Sequence, residues 1–191
     1  PRGRVLESDE AVEHIRCRYR SLVSMCDRNL GRILDLMDEH DLWRDTMLIV
    51  GTDHGFLLGE HGWWAKNQMP YYNEVANNPL FIWDPRSGVK GERRQALVQM
   101  IDWAPTLYDF FQQPVPPDGQ GQPLAKTVSH DEPVRSAAMF GVFSGHVNVT
   151  DGRYVYMRAA LPGREDDIVN YTLMPIKMNS RYPVDEMRTL S

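Results

Sequence analysis

The first part of the chain carries apolar side chains at steps of three and four residues, with charged residues between them. This spacing places the apolar positions on one face of an α-helix, so we predict a long amphipathic helix over residues 9–40. Asp9 and Glu10 suit the start of this helix because its amino end is electropositive. The opposite, arginine-containing face is typical of a solvated surface rather than a binding patch.

Two short apolar runs without alternation follow, at residues 46–50 and 79–83. An unbroken apolar run is typical of a strand that is buried on both faces, as the strands of parallel sheets are. Each run ends in polar or turn-forming residues, at 51–55 and at 84–88. We therefore predict two central strands of a largely parallel sheet.

The second half of the chain changes character. Asp102 precedes a proline that the first turn of a helix tolerates, which predicts Asp102 as the N-cap of a helix that reaches about Gln112. Residues 113–135 are rich in proline and glycine, which predicts an irregular connection. The dipeptide Asp151-Gly152 then favours a two-residue hairpin turn between strands at residues 147–150 and 153–156, so we expect a small antiparallel sheet.

Composition narrows the class of protein. Of the 191 residues, 42% are hydrophobic, which is enough for an ordered core. The 21 lysines and arginines against 26 acidic residues give a net charge of −5, which disfavours a nucleic-acid partner. The longest apolar runs are far shorter than the roughly 20 residues of a membrane-spanning helix, so no membrane partner is expected.

The loop after the first predicted strand holds the residues best suited to chemistry. Asp53 and His54 are adjacent at the carboxyl end of that strand, where ligands bind in open α/β sheets. A carboxylate and an imidazole together suit a divalent cation, although the same pair could serve only as a cap and a hydrogen-bonded surface residue. Lys66 follows two tryptophans, where it could cover an aromatic surface with its alkyl stem or bind an anion beside a metal.

The strings TDHG at residues 52–55 and LGEHG at residues 58–62, followed by Lys66, resemble the downstream metal and substrate loop of the sulfatases of the alkaline phosphatase superfamily. Residues 148–154 are similar to the C-terminal hairpin of that family, so the resemblance covers nearly the whole chain. It implies an α/β fold, a partial alkaline phosphatase-like sandwich with a central, largely parallel sheet and a small C-terminal antiparallel sheet.

The resemblance also implies an organisation in three parts. Residues 1–112 correspond to the carboxyl-side part of the sulfatase catalytic domain. Residues 113–135 form the irregular connection, and residues 136–191 form the small antiparallel-sheet subdomain. These boundaries follow the changes in pattern described above.

Roles can be assigned residue by residue from the same resemblance. Asp53 and His54 match the carboxyl-side ligands of one divalent cation, with calcium first and manganese or magnesium as alternatives. Lys66 matches the lysine that contacts the sulfate and is therefore predicted to be both catalytic and substrate-binding. His61 belongs to the same loop and is predicted to be catalytic.

Other features of the family pattern have no match in this chain. Family members have two further aspartate ligands and a Cys/Ser-x-Pro-x-Arg motif, whose nucleophile matures to formylglycine. Cys17 and Cys26 lack the proline and arginine of that motif, and Asn77 stands near a position where many relatives have arginine. We therefore expect the formylglycine in an upstream segment, no turnover by the isolated chain, and self-association of the fragment through surface that this segment would cover.

Three functions stay open at this stage. The leading hypothesis is hydrolysis of a small-molecule or saccharide sulfate ester by the intact protein. A second keeps the fold but makes the substrate a phosphonate or phosphate ester, and a third is a non-catalytic domain that retains the fold. The presence of Asp53, His54, His61 and Lys66 in one loop disfavours the third, since a purely structural role does not require them.

Overall fold

The computed structural model describes residues 3–66, 70–142, 145–159 and 161–163. Residues 1–159 belong to one compact unit and residues 160–191 to a second. The predicted division at residues 113 and 136 stays a prediction, and residues 164–191 lie outside the described part of the chain. No helix in that described part is long and apolar enough to cross a membrane.

The predicted first helix is confirmed. Helix α1 spans Asp9–Glu39, and the Ser8 hydroxyl accepts a hydrogen bond from the backbone N–H of Ala11 at its amino end. Only two of its apolar side chains, Val12 and Met37, are buried. Large apolar side chains on the rest of the helix are exposed, among them Leu22, Val23, Met25, Ile33 and Leu36. Most of the apolar stripe of α1 is therefore uncovered.

Both predicted central strands exist, but they are not parallel to each other. Strand β1 spans Leu48–Gly51 and strand β4 spans Leu80–Trp83, and they pair antiparallel with Leu48 opposite Trp83. The parallel prediction is wrong for this pair because an unbroken apolar run reports burial and carries no information on strand direction. Phe81 is 67% exposed, so β4 is not covered on both faces either. A largely parallel central sheet is not seen in the described residues.

The chain between β1 and β4 forms a small hairpin and one helical turn. Strands β2 (Leu57–Leu58) and β3 (Trp64–Ala65) pair antiparallel around a 3-10 turn, and helix α2 spans Asn73–Ala76. Leu57 and Val75 are fully buried against each other, with Trp63, Tyr71 and Tyr72 packed around them. This cluster fixes α2 against the hairpin.

Asp102 occupies the predicted N-cap position of the next helix, but its side chain makes no capping hydrogen bond to that helix. Helix α3 spans Trp103–Phe110, and Asp102 belongs to the 3-10 turn before it. Its fully buried carboxylate accepts two hydrogen bonds from the Arg135 guanidinium, both 2.5 Å, and two from the backbone N–H groups of Gln99 and Gln122. Burial acts to raise the pKa of Asp102, but Arg135 and the backbone donors outweigh it and lower that pKa. A long-range ion pair has replaced the local cap.

The connection over residues 113–135 is not wholly irregular. It contains helix α4, Ala125–His130. This helix was not predicted because the many prolines and glycines before it favour irregular structure. Arg94 donates to the backbone carbonyls of Thr127 and Val128 near the carboxyl end of this helix. Unsatisfied carbonyls at that end of a helix accept such bonds readily, so α4 forms despite its short length.

The predicted C-terminal antiparallel sheet is confirmed in the described residues. Strands β5 (Ala138–Gly141), β6 (Val147–Thr150) and β7 (Val155–Arg158) pair in that order. The turn between β6 and β7 is four residues long, not two, because Thr150 pairs with Val155. The Asp151 carboxylate accepts hydrogen bonds from the backbone N–H groups of Arg153 and Tyr154, and these bonds favour the longer turn.

Candidate active site

Asp53 and His54 lie just beyond the end of β1, in a loop that two glycines allow to pack closely. A Cβ atom at Gly51 would lie 2.8 Å from the Trp103 ring, and one at Gly55 would lie 1.9 Å from the Glu74 carbonyl oxygen. The backbone N–H of Gly55 donates to the carbonyl of Val75 at 2.8 Å. The loop is therefore held against α2 by contacts that only glycine permits.

The side chains of the pair point to a common place. Asp53 Oδ2 lies 3.1 Å from His54 Nε2, and Asp53 Oδ1 accepts a hydrogen bond from the backbone N–H of His54 at 3.0 Å. His54 Nδ1 is 2.8 Å from the carbonyl oxygen of Gly55. His54 Nε2 therefore faces the carboxylate, while the contact of Nδ1 with the Gly55 carbonyl orients the ring.

The electrostatics of the loop keep Asp53 ionised. Partial desolvation acts to raise the pKa of Asp53, but the charge and backbone N–H of His54, together with the Lys66 ammonium, lower it overall. The pKa of the Tyr71 hydroxyl is raised, first by burial and then by the negative charge of Asp53. The site therefore presents a carboxylate to any ligand that enters from solvent.

Lys66 completes the cluster, because its Nζ contacts His54 Nε2. The hairpin strand before it is anchored by the N-terminal segment of the chain. The backbone N–H of Trp64 donates to the Gly3 carbonyl at 2.7 Å, and its indole N–H donates to the Glu7 carboxylate at 2.8 Å. The structure thus brings Asp53, His54 and Lys66 together at one place.

His61 lies in the same loop but makes its contacts elsewhere. Its Nε2 is 3.0 Å from Glu74 Oε1, and its ring stacks on Tyr72 with centroids 4.0 Å apart and planes 15° apart. Its backbone adopts a left-handed φ of 56°, which is uncommon for a residue with a side chain. The catalytic role predicted for His61 stays a prediction.

The Asp53–His54 pair fits part of a cation site. Neighbouring ligand atoms around an ion with bonds of about 2.0–2.6 Å lie roughly 3–3.7 Å apart, and the two donor atoms here are 3.1 Å apart. Lys66 Nζ contacts His54 Nε2, the same atom that would bind the ion. The lysine side chain must therefore move away when the ion binds. No group of three or more His, Cys, Asp or Glu side chains with metal-binding geometry occurs in the part of the chain that the structure describes.

Two residues of the candidate site were not predicted from the sequence. Glu74 contacts His61 across 13 positions of the chain, and Asn78 donates from its side-chain amide to the backbone carbonyl of Asp53 across 25 positions. No periodicity links positions so far apart.

The α/β fold and this strand-end cluster of carboxylate, imidazole and ammonium agree with a hydrolase that acts on an anionic ester. The family model for sulfatases matches residues 3–113. The chain therefore belongs to the sulfatase family of hydrolases, within the alkaline phosphatase superfamily. Sulfatases of this family generally use a metal ion and formylglycine.

Individual relatives are similar over different lengths. An N-acetylglucosamine-6-O-sulfatase of Bacteroides thetaiotaomicron is 33% identical over 130 residues, which cover 68% of this chain and 23% of that protein. A choline-sulfatase of Rhizobium meliloti is 27% identical, with 94% of this chain and 36% of that protein covered. The chain thus spans about a quarter to a third of the length of these relatives.

Solved structures agree with the fold. The structure of BT4656 in complex with its substrate D-glucosamine-2-N,6-O-disulfate has a TM-score of 0.59 and 28% identity, with 68% of this chain and 28% of that chain covered. The phosphonate monoester hydrolase SpPMH from Silicibacter pomeroyi has a TM-score of 0.73 and 23% identity, with 81% and 34% covered. The second likeness shows the fold alone.

Proposed function

We propose that this chain is the carboxyl-side portion of a metal-dependent sulfatase that hydrolyses sulfate esters. The observation that carries the proposal is the convergence of Asp53, His54 and Lys66 beyond the end of β1, in a chain of the sulfatase family. Nothing about the fold alone requires a carboxylate, an imidazole and an ammonium at one exposed place.

Each residue has a defined task in this proposal. Asp53 and His54 would hold a divalent cation, calcium before manganese or magnesium, which would supply positive charge beside the sulfate and the attacking oxygen. Lys66 binds the sulfuryl oxygens and offsets charge that develops on the leaving oxygen. His61 is the second catalytic residue of the loop, where its imidazole can hold or release a proton. The nucleophile is a formylglycine in an upstream segment.

The substrate class follows from the relatives. An N-acetylglucosamine-6-O-sulfatase and the complex of BT4656 with a disulfated glucosamine support a saccharide sulfate ester. The second candidate is a phosphonate or phosphate ester, which the imidazole of the Asp53–His54 pair also permits. A non-catalytic domain with the same fold is the outcome to expect if neither the cation nor sulfate binds.

Incomplete coverage of the sheet and of α1 supports a proposal on assembly. Phe81 on β4 and much of the apolar stripe of α1, including Leu22, Val23 and Ile33, are exposed. Apolar surface and unpaired strand edges favour association with another chain. We propose that the isolated chain self-associates through these surfaces, and static light scattering should then give a mass above 22.0 kDa. A clean monomer would contradict this.

Calorimetric titration of the chain with calcium, manganese and magnesium tests the proposed cation site. With two ligands recognised, we expect a dissociation constant above roughly 10⁻⁴ M, which is in the range of weak protein sites. Asp53→Asn should abolish binding, whereas Asp118→Asn, a control in the proline-rich connection, should not change it. The same preparation should show no turnover of an aryl sulfate, because the nucleophile is absent. Cation binding that survives Asp53→Asn would contradict the assigned site.

A further inference from the structure

Helix α2 touches both loops of the candidate site. We call residues 52–55 the metal-pair loop and residues 59–66 the lysine loop. The metal-pair loop is held to α2 by the bond from the Gly55 N–H to the Val75 carbonyl and by close contact of Gly55 with the Glu74 carbonyl. The lysine loop is held to α2 by the contact between the Glu74 carboxylate and His61. Glu74 therefore contacts both loops, one with its backbone and one with its side chain.

The contact on the lysine loop is well defined. His61 lies between the Glu74 carboxylate, 3.0 Å from Nε2, and the ring of Tyr72, which stacks on it. Three of the four residues from 59 to 62, namely Gly59, His61 and Gly62, have positive φ. The β2–β3 pairing and the bonds of Trp64 hold the ends of this loop, and the contacts of His61 with Glu74 and Tyr72 join its centre to α2.

The helix that carries Glu74 is itself immobilised. Val75, the next residue, is fully buried and packs against Leu57 at the start of the hairpin. Because Val75 is fully buried, the backbone of Glu74 is held in place. A contact of the Glu74 carboxylate therefore fixes the lysine loop relative to the metal-pair loop. The carboxylate is about 41% exposed, so its removal leaves no buried cavity or unpaired buried charge.

We propose that Glu74 is a positioning residue that acts through His61 to fix the lysine loop relative to the metal-pair loop. In this way it keeps Lys66 close to the Asp53–His54 pair, at the place where the sulfuryl oxygens bind. This inference rests on the proposed function for its consequence, but the link between the loops is independent of it.

Sulfate affinity gives the first test. Inorganic sulfate is titrated into the chain in the presence of calcium, and Glu74→Ala should weaken binding about tenfold because a hydrogen bond to a charged group is lost. Glu74→Gln keeps a hydrogen-bond acceptor, so its sulfate affinity should lie between those of the unsubstituted chain and Glu74→Ala. In a His61→Ala background the Glu74→Ala substitution should have no further effect, because Glu74 acts through His61. Glu132→Ala removes a carboxylate from an exposed pair with Lys126 and should leave sulfate affinity unchanged.

A second measurement does not need sulfate. The backbone N–H groups of Gly62 and Trp63 bond within the lysine loop to the carbonyls of Gly59 and Glu60. Their hydrogen exchange should accelerate by about fivefold or more in Glu74→Ala, since local opening becomes easier, and should not change in Glu132→Ala. A residue that only stabilised the fold would lower the melting temperature and leave the affinity of the folded chain intact.

The outcomes separate this inference from the proposed function. Absence of sulfate binding by the unsubstituted chain would contradict the proposed function, and the exchange rates would then decide the role of Glu74 alone. Unchanged exchange at Gly62 and Trp63 in Glu74→Ala would overturn the inference. A full effect of Glu74→Ala in the His61→Ala background would overturn it as well.

Discussion

Two aspartates in this chain show how the same side chain serves different ends. Asp102 is fully buried, and its carboxylate oxygens are taken up by the Arg135 guanidinium and two backbone N–H groups. The side chain of Asp53 is 74% exposed, and its oxygens are oriented by His54 but remain accessible. Both pKa values are lowered, so ionisation alone does not distinguish the two.

The two carboxylates differ in how many of their hydrogen-bond acceptor positions remain free. A buried carboxylate with every position filled stabilises the junction between α3 and the chain that follows it. A carboxylate that is oriented yet open to solvent can still accept a ligand, at little cost to the fold. Exposure and free acceptor positions therefore support the proposed ligand-binding role of Asp53, whereas burial and full pairing give Asp102 a structural role.

Loss of the arginine that pairs with Asp102 should destabilise the fold strongly. Arg135→Met leaves the Asp102 carboxylate buried without its cation, so we expect a loss of about 3–5 kcal/mol in the free energy of unfolding. Urea unfolding followed by circular dichroism measures it. As a matched control, Arg44→Met removes an arginine from an exposed pair with Asp41 and should change the free energy of unfolding by no more than about 0.5 kcal/mol. Exposed ion pairs contribute less than about 1 kcal/mol. A loss that small for Arg135→Met would contradict a structural role of the Asp102–Arg135 pair.

The contribution of the Asp102 carboxylate to stability should depend on pH. The pKa of Asp102 is lower in the folded chain than its ordinary value near 4, so its contribution is complete above about pH 4 and is lost as the pH falls through the lower folded value. The difference in unfolding free energy between the unsubstituted chain and Asp102→Asn should therefore shrink below about pH 4. Measurement of both chains at a series of pH values checks this. A difference that stays constant or grows on acidification would be against it.

Asp53 should contribute little to the stability of the fold. Asp53→Asn changes an exposed side chain, so the free energy of unfolding should stay within about 0.5 kcal/mol of the starting value. Cation binding, in contrast, should disappear. Urea unfolding and calorimetric titration of one preparation give both values. A large loss of stability would show that Asp53 is part of the framework, as Asp102 is.

The sequence allowed prediction of features that local patterns encode. The spacing of apolar residues is enough to define α1, and the unbroken apolar runs are enough to locate β1 and β4. Their antiparallel direction could not be predicted, because burial does not encode the direction of a strand. Asp102 takes the N-cap position that the local pattern predicts, but the pairing of its carboxylate with Arg135, 33 positions away, could not be predicted.

The candidate site shows the same division. The position of Asp53 and His54 at a strand end, together with the family resemblance, was enough to select them with Lys66. The partner of His61 was not predictable, because Glu74 approaches from α2 only after the hairpin has packed against that helix. Contacts between loops depend on tertiary packing and leave no periodic signal in the sequence.

Lys66 and the Asp53–His54 pair are proposed to form a site for a sulfate group. Titration of inorganic sulfate into the calcium-containing chain, followed by NMR, tests this proposal. We predict that Lys66→Met weakens sulfate binding at least about tenfold, since a charge-assisted hydrogen bond is lost. The control Lys126→Met, at an exposed lysine paired with Glu132, should leave it unchanged. Equal sulfate binding by the Lys66→Met and unsubstituted chains, or no binding by the latter, would contradict the account.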